Sequence, residues 1–200
     1  MADQLTPTRM SAFSDGVIAV IITIMALELK VPGKEISNLE GLLRVLPLFV
    51  VYALSFAEVA IYWVNHHYMV DELDQVSHGV LWANLSFLFT LSLIPFATAW
   101  VGERGITPFA ISLYSVCSAL PAVSWLVLSL AIRRRTRKSL AGSPAKQFAS
   151  TGLYLGAIPV SYYSQKIAIL MIATVAVLWI IPPRRILEET CPKEIGNAPS

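Results

Sequence analysis

The sequence predicts an all-α integral membrane protein with six transmembrane helices. Of its 200 residues, 56% are hydrophobic and 14% are charged, and the mean hydropathy is +0.63. A soluble domain of average composition is about one quarter charged. Apolar runs close to the ~20 residues that a bilayer-spanning helix needs recur along the chain with short polar gaps. These runs leave no room for a separate soluble domain.

The first helix opens with a strong start signal. Thr6 is suited to the N-cap and Pro7 to the first helical position. The apolar run continues to about Leu29 and is stopped by the sequence KVPG. No small-residue cleavage site precedes the next polar stretch, so the run is expected to be retained as a helix rather than removed as a signal peptide.

Five further apolar runs follow. The fourth contains Pro121, which is tolerated in a membrane helix where neighbours satisfy the freed carbonyl, and the fifth is short and contains glycine. The six helices are expected at about residues 6–29, 46–64, 79–101, 108–132, 147–162 and 167–181, and a tail follows at 186–200.

Basic residues in the short loops predict the orientation, because such residues favour the cytoplasmic side. A cytoplasmic N-terminus places Arg9, the 65–78 loop, the RRRTRK run and the tail inside, and six spans return the C-terminus to the same side. The inside residues near the RRRTRK run and in the tail are Arg133, Arg134, Arg135, Arg137, Lys138, Lys146, Arg184, Arg185 and Lys193. The run is interpreted as a topology anchor against anionic lipid. No DNA- or RNA-binding motif accompanies it, so no nucleic-acid partner is predicted.

One face of the first helix is small and apolar. At ~100° per residue, Gly16, Val20, Thr23, Ile24 and Leu27 share one side, with Thr23 as its only hydroxyl. We call these five residues the stripe. Ser14 and Asp15 lie ~120° and ~140° away from Val20 on the same wheel, so they are expected to face neighbouring helices.

A carboxyl at a membrane edge needs hydrogen-bond donors, and the second and third helices offer several at the same end as Asp15. These predict a polar cluster that fixes the first helix in place. Its expected members are Arg9, Ser14, Asp15, Trp63, His66, His67, Trp82 and Asn84.

The motif R-x-x-x-F-S-D-G, followed by YWVNHH, Asn84 and SLIPFATAWVGE, resembles the transmembrane protein 175 family. These are the potassium channels of lysosomes and their single-repeat bacterial relatives. The resemblance is close over the first three helices and rests on hydropathy and spacing beyond them. It implies a potassium channel of the cell membrane, not an enzyme, that assembles as a homotetramer in the bilayer and needs no cofactor beyond the permeant ion.

The resemblance further implies that the first helices surround the pore. Val20, Ile24 and Leu27 would then form apolar rings, and Thr23 would form a hydroxyl layer that contacts potassium transiently. Other members carry a bulkier residue where this chain has Val20. No TVGYG filter occurs in the sequence, so modest selectivity over sodium is expected from side-chain rings.

Other interpretations remain open from the residues themselves. The stripe is also typical of ordinary packing between membrane helices. Glu58, inside the second helix, is expected to accept from Tyr62 or Ser55 or to relay protons in a coupled transporter. A metal-dependent membrane enzyme using His66 or His67 with Asp71, Asp74 or His78 is weaker, because adjacent histidines project ~100° apart. The cysteines, Cys117 and Cys191, predict neither a disulfide nor a zinc site.

Overall fold

A computed structural model describes residues 6–31, 33, 37–134 and 144–180 of the chain. Within these residues it consists of α-helices: α1 (Pro7–Leu27), α2 (Asn38–Asp71), α3 (His78–Leu91), α4 (Ile94–Arg104), α5 (Pro108–Arg133), α6 (Pro144–Tyr163) and α7 (Gln165–Ile180). Because α3 and α4 follow one another within a single candidate span, His78–Arg104, the seven helices form six helical segments. The predicted all-α, six-helix membrane fold is confirmed.

Four of these segments are long and apolar enough to cross a membrane: Pro7–Leu27, Asn38–Asp71, His78–Arg104 and Pro108–Arg133. The start of α1 agrees with the sequence, since the Thr6 side chain accepts a hydrogen bond from the Arg9 backbone N–H and Pro7 follows as the first helical residue. The basic residues at 135, 137, 138, 184, 185 and 193, and the tail at 186–200, lie outside the described residues.

The helix α2 is longer than the expected range of 46–64 at both ends. Its start is fixed by Ser37, which accepts from the Glu40 backbone N–H, and by an Arg44–Glu40 ion pair of 2.8 Å one turn apart. Its end extends to Asp71, because His66, Met69 and Val70 form a buried face at helical spacing. Hydropathy misses these turns because they are too polar to belong to a membrane-spanning run.

The third span is interrupted, whereas the sequence predicted one continuous helix over 79–101. Ser92 closes α3 and Leu93 precedes α4. Pro95, near the start of α4, has no N–H to donate to the carbonyl four residues earlier, and its ring crowds that position. The break therefore lies where a proline removes a helical hydrogen bond.

The helix α5 is the central element of the subunit and packs against α3, α4, α6 and α7. It is rich in serine and alanine, which allow close approach between membrane helices. Cys117 is buried within it. The apolar core has two parts. One joins α1, α2, α3 and the C-terminal half of α5, and the other joins α4, the N-terminal half of α5, α6 and α7.

Candidate functional site

The two faces of α1 differ in their contacts. One face, which includes Ile18, Ile21 and Met25, is buried in the core formed with α2, α3 and α5. These residues recur at intervals of three and four, as expected for one side of a helix. That face holds α1 in the subunit.

The stripe lies on the other side and is exposed in the isolated subunit. The exposed fractions are 55% for Val20, 44% for Ile24 and 79% for Leu27, and Gly16 and Thr23 are exposed as well. A side chain added at Gly16 would meet nothing within 4 Å. A chain that spans a bilayer can present such a surface to lipid or to further copies of itself.

Thr23 presents its hydroxyl oxygen on this surface. Its Oγ1 donates to the Val20 carbonyl at 2.9 Å. Because a hydroxyl has a single hydrogen and two lone pairs, the lone pairs stay available to a cation. Thr23 is therefore an acceptor in the middle of an otherwise apolar face.

The first helix is tied to α2 and α3 by hydrogen bonds near its N-terminal end. Trp63 Nε1 donates to Asp15 Oδ1 at 2.9 Å. Asn84 Nδ2 donates to Ser14 Oγ at 2.9 Å, and Asn84 Oδ1 lies 2.7 Å from His66 Nε2. Since Asn84 uses its amide group toward Ser14, its carbonyl oxygen faces the histidine and Nε2 carries the proton. His66, Asn84 and Ser14 are buried.

Other residues expected in the polar cluster lie in different pairs. His67 Nε2 lies 3.4 Å from Asp71 Oδ2, one turn along α2. Trp82 Nε1 donates to His78 Nε2 at 2.8 Å, one turn along α3, rather than to Asp15. Arg9 is exposed in the first turn of α1. The structure thus joins Ser14, Asp15, Trp63, His66 and Asn84 by hydrogen bonds in two groups, and the His67 ring stacks on Trp63 with the ring centroids 6.4 Å apart.

Glu58 makes contacts that the sequence did not predict. Its carboxyl oxygens accept from Tyr154 at 3.0 Å, Ser118 at 3.1 Å and Tyr114 at 3.4 Å, and not from Tyr62 or Ser55 as expected. The donors come from α5 and α6, 56 to 96 residues away in sequence. No local pattern reveals partners at that separation. The only sequence signal was the carboxyl itself inside an apolar run.

A surface ion pair joins the far ends of α1 and α4. Lys30 Nζ lies 2.8 Å from Glu103 Oε1, and this carboxylate raises the pKa of the Lys30 ammonium above its ordinary value. Both side chains are exposed. An exposed pair of this kind contributes little to stability and is screened by salt.

The proposed metal ligands do not converge. In the part of the chain that the structure describes, no three histidine, cysteine, aspartate or glutamate side chains are placed to hold a metal ion. His67 and His78 are instead engaged with Asp71 and Trp82. The described residues therefore form an exposed apolar face on α1 with one hydroxyl, and hydrogen bonds to α2 and α3 hold this helix in place.

The sequence is similar to a channel family and to individual potassium channels. Residues 9–95 match the family model described as "Endosomal/lysosomal potassium channel TMEM175". A potassium channel of Chryseobacterium sp. is 40% identical over 187 residues, which cover 91% of this chain and 96% of the relative. A potassium channel of Chamaesiphon minutus is 32% identical over 136 residues, which cover 66% of this chain and 65% of the relative.

The fold is also similar to a solved structure. The crystal structure of a lysosomal potassium-selective channel TMEM175 homolog from Chamaesiphon minutus matches with a TM-score of 0.71 and 27% sequence identity. The match covers 87% of this chain and 96% of that chain. The residues that match the family model contain the whole stripe, Asp15, Trp63 and Asn84.

Proposed function

Because the chain belongs to the TMEM175 family of channels, we propose that it is a potassium channel whose pore is lined by α1 of several subunits. The family consists of channels rather than enzymes. The chain is a multi-pass membrane protein, and the plasma membrane is the proposed location. Val20, Ile24 and Leu27 would form apolar rings around the axis, with Thr23 as a hydroxyl layer.

The main observation behind this proposal is that the stripe is exposed on α1, a helix that is otherwise held in place by packing and hydrogen bonds. The stripe stays exposed while the opposite face of α1 is buried and its N-terminal end is hydrogen-bonded to α2 and α3. A helix held in this way presents a fixed surface. Fixed apolar rings can control ion passage through their width and through the cost of wetting them.

One subunit has one α1 and cannot surround an axis with it, so the pore requires several copies in a closed symmetric ring. Four copies are proposed. A ring of four Thr23 residues would supply four acceptor oxygens at one level, each with its hydrogen directed to the Val20 carbonyl. These oxygens would replace part of the hydration shell of potassium.

A proton-coupled transporter is the second candidate, because Glu58 is buried inside the subunit among hydroxyl donors. Purified protein in liposomes separates the two. A channel passes potassium down its gradient with no co-substrate, and the current reverses with the potassium gradient. Potassium movement that requires an opposing or accompanying proton gradient would contradict the channel.

Thiol labelling tests the lining. We expect Leu27→Cys, in a background lacking Cys117 and Cys191, to be blocked by a water-soluble thiol reagent. Leu170→Cys, an exposed leucine on α7, is the matched control and should be insensitive. Equal sensitivity at both positions, or none at Leu27, would contradict a pore lined by α1.

A further inference from the structure

Glu58 is a carboxyl in the interior of the subunit. It lies in the middle of α2 and is 6% exposed. A buried ionised carboxylate without a charged partner is very costly, and more so at membrane depth. The groups that surround Glu58 therefore decide which protonation state this site accommodates.

The groups facing Glu58 are neutral in the described part of the chain. Its own helix contributes Tyr62, α5 contributes Tyr114, Ser118 and Cys117, and α6 contributes Tyr154. The residues of α7 beside it are Val175, Ala176 and Trp179. No lysine, arginine or histidine among the described residues forms an ion pair with this carboxyl.

The distances around Glu58 also fit a neutral acid. Hydroxyl donors lie about 2.5–2.7 Å from an ionised carboxylate when the bond is charge-assisted. Here the three hydroxyl oxygens lie at 3.0, 3.1 and 3.4 Å. The longest contact is the one to Tyr114. Because the Tyr114 hydroxyl also contacts Ser55 and can donate its hydrogen there, the direction of donation between Tyr114 and Glu58 can reverse.

A chain of hydroxyls leads away from Glu58 through Tyr114. Tyr114 Oη lies 2.9 Å from Ser55 Oγ, which lies 2.7 Å from Thr98 Oγ1. Two backbone carbonyl oxygens also accept from this chain: Thr98 Oγ1 lies 2.9 Å from that of Ile94, and Ser55 Oγ lies 3.0 Å from that of Val51. Either hydroxyl can donate in each of the two hydroxyl pairs.

The protonated and ionised states of Glu58 differ in the number of hydrogens available to these contacts, because each hydroxyl has only one hydrogen. If Glu58 is ionised, the three hydroxyl hydrogens can satisfy at most three of five contacts, which are the bond to Glu58, the two hydroxyl pairs and the bonds to the Val51 and Ile94 carbonyls. If Glu58 is protonated, its own hydrogen serves the contact to Tyr114, so four of the five contacts can form. The protonated state satisfies one more contact and buries no charge.

A cavity of about 20 Å³ adjoins the carboxyl, lined in part by Glu58, Tyr62, Asn65 and Tyr154. This volume is enough for about one water molecule. Such a water would lie beside the carboxyl, where it could accept a proton from Glu58 or donate one to it.

We propose that Glu58 is a proton-binding site that is occupied in the folded subunit, where the proton is donated to Tyr114 at one end of the hydroxyl chain. The site is formed by α2, α5, α6 and α7 and includes no residue of the stripe. The inference stands on contacts within one subunit and does not rest on the proposed channel function. Release of the proton removes one hydrogen from this network and leaves a charge among α2, α5 and α6, which weakens their packing.

Infrared spectroscopy of the full chain in liposomes tests the proposal directly. We expect a carbonyl band of a protonated carboxyl at neutral pH that shifts in D2O and is lost in Glu58→Gln. Tyr114→Phe removes the acceptor of the carboxyl proton, so the band should move to higher frequency. Glu103→Gln, which changes an exposed ion-paired carboxyl, is the matched control and should keep the band.

A second measurement follows stability against pH. The Glu58→Gln amide mimics the protonated acid, so the melting temperature of the wild type should fall toward alkaline pH by an increment absent from Glu58→Gln. Identical carbonyl spectra in the wild type and Glu58→Gln would overturn the proposal. If Glu58→Gln does not fold, a band unmoved by Tyr114→Phe would overturn it equally.

Discussion

Thr23 has a hydroxyl whose hydrogen is committed to the Val20 carbonyl at 2.9 Å. Its oxygen can therefore only accept, as a cation requires. Thr23→Val keeps the shape and removes the oxygen, so we expect a lower potassium-to-sodium permeability ratio from bi-ionic reversal potentials. A loss of ~1 kcal/mol of differential interaction corresponds to roughly a fivefold change in the ratio.

Thr174→Val is the matched control for this substitution. Thr174 is an exposed threonine on α7, and its Oγ1 donates to the Leu170 carbonyl at 2.7 Å. Like Thr23, it is exposed and donates to a carbonyl of its own helix, here four residues earlier instead of three. An unchanged ratio in Thr23→Val, or an equal change in Thr174→Val, would count against the hydroxyl layer.

Asp15 accepts from Trp63 Nε1 at 2.9 Å and lies off the stripe. We expect Asp15→Asn and Trp63→Phe each to lower the melting temperature and the yield of assembled protein, while the selectivity of what remains is unchanged. The bond to a charged acceptor is worth about 1 kcal/mol at a partly exposed site.

Trp63→Phe removes this contact and Asp15→Asn weakens it by replacing a charged acceptor with a neutral one, so the double variant should lose less stability than the sum of the two single losses. Thermal unfolding of all four proteins measures this coupling. Additive losses, or normal assembly with a large selectivity shift in Asp15→Asn, would contradict the structural role.

Single positions on α1 were predictable where the signal was local. The Thr6 cap needs only its neighbours along the chain, and the stripe needs only the helical period. Asp15 and Trp63 were expected near each other because both lie at the same end of their helices. The partner of Trp82 was misjudged because its Nε1 donates to His78 one turn away, and the sequence does not rank a local acceptor against a distant one.

The helix α1 has one exposed face and one buried face. Substitutions of two nearby residues, one on each face, should therefore affect different properties, namely the current and the stability. Leu27 is on the stripe, whereas Met25 is fully buried. Leu27→Ala should raise single-channel current and weaken discrimination against sodium, because it widens an apolar ring, and Leu27→Trp should nearly block current. Met25→Ala should instead cost about 2–5 kcal/mol of stability through the cavity it leaves.

Unitary currents in planar bilayers and thermal melts, recorded on the same preparations, check both parts. The outcome that would exclude a pore on this face is an equal change of current at Leu27 and Met25, or no change at Leu27. A large loss of stability in Leu27→Ala would show that the stripe is a packing surface within the subunit.

Element boundaries were predictable only where the chain is apolar. Hydropathy located all six helical segments, yet it missed the added turns of α2, whose stability comes from the Ser37 cap and the buried face at His66, Met69 and Val70. It also read through the break before α4, although Pro95 was visible in the sequence. A proline in an apolar run does not say whether the helix bends around it, as α5 continues through Pro121, or stops.

The whole molecule should be a ring of four subunits if α1 lines the pore. We expect native mass measurement in detergent to give four times the subunit mass of 21.9 kDa. Asp15→Asn and Trp63→Phe should shift the population toward smaller species, since they loosen the helix at the centre of the ring. A stable monomer that passes potassium in liposomes would contradict the assembly.

Long-range organisation was the least predictable part of the molecule. The contacts of Glu58 with Tyr114, Ser118 and Tyr154 depend on how α2, α5 and α6 pack, and a single sequence contains no record of that packing. The carboxyl alone marked the position as unusual. Its partners became visible only once three helices were placed together.

The separation of the two faces of α1 has a consequence for how such sequences can diverge. Most changes to a functional site reduce stability, which limits how many can accumulate. Positions 20, 24 and 27 are largely exposed in the subunit, so substitutions there place little burden on its folding. A lineage can therefore sample many side chains at these positions while the buried face keeps the fold intact, and if they line the pore as proposed, ion preference can change at little cost to stability.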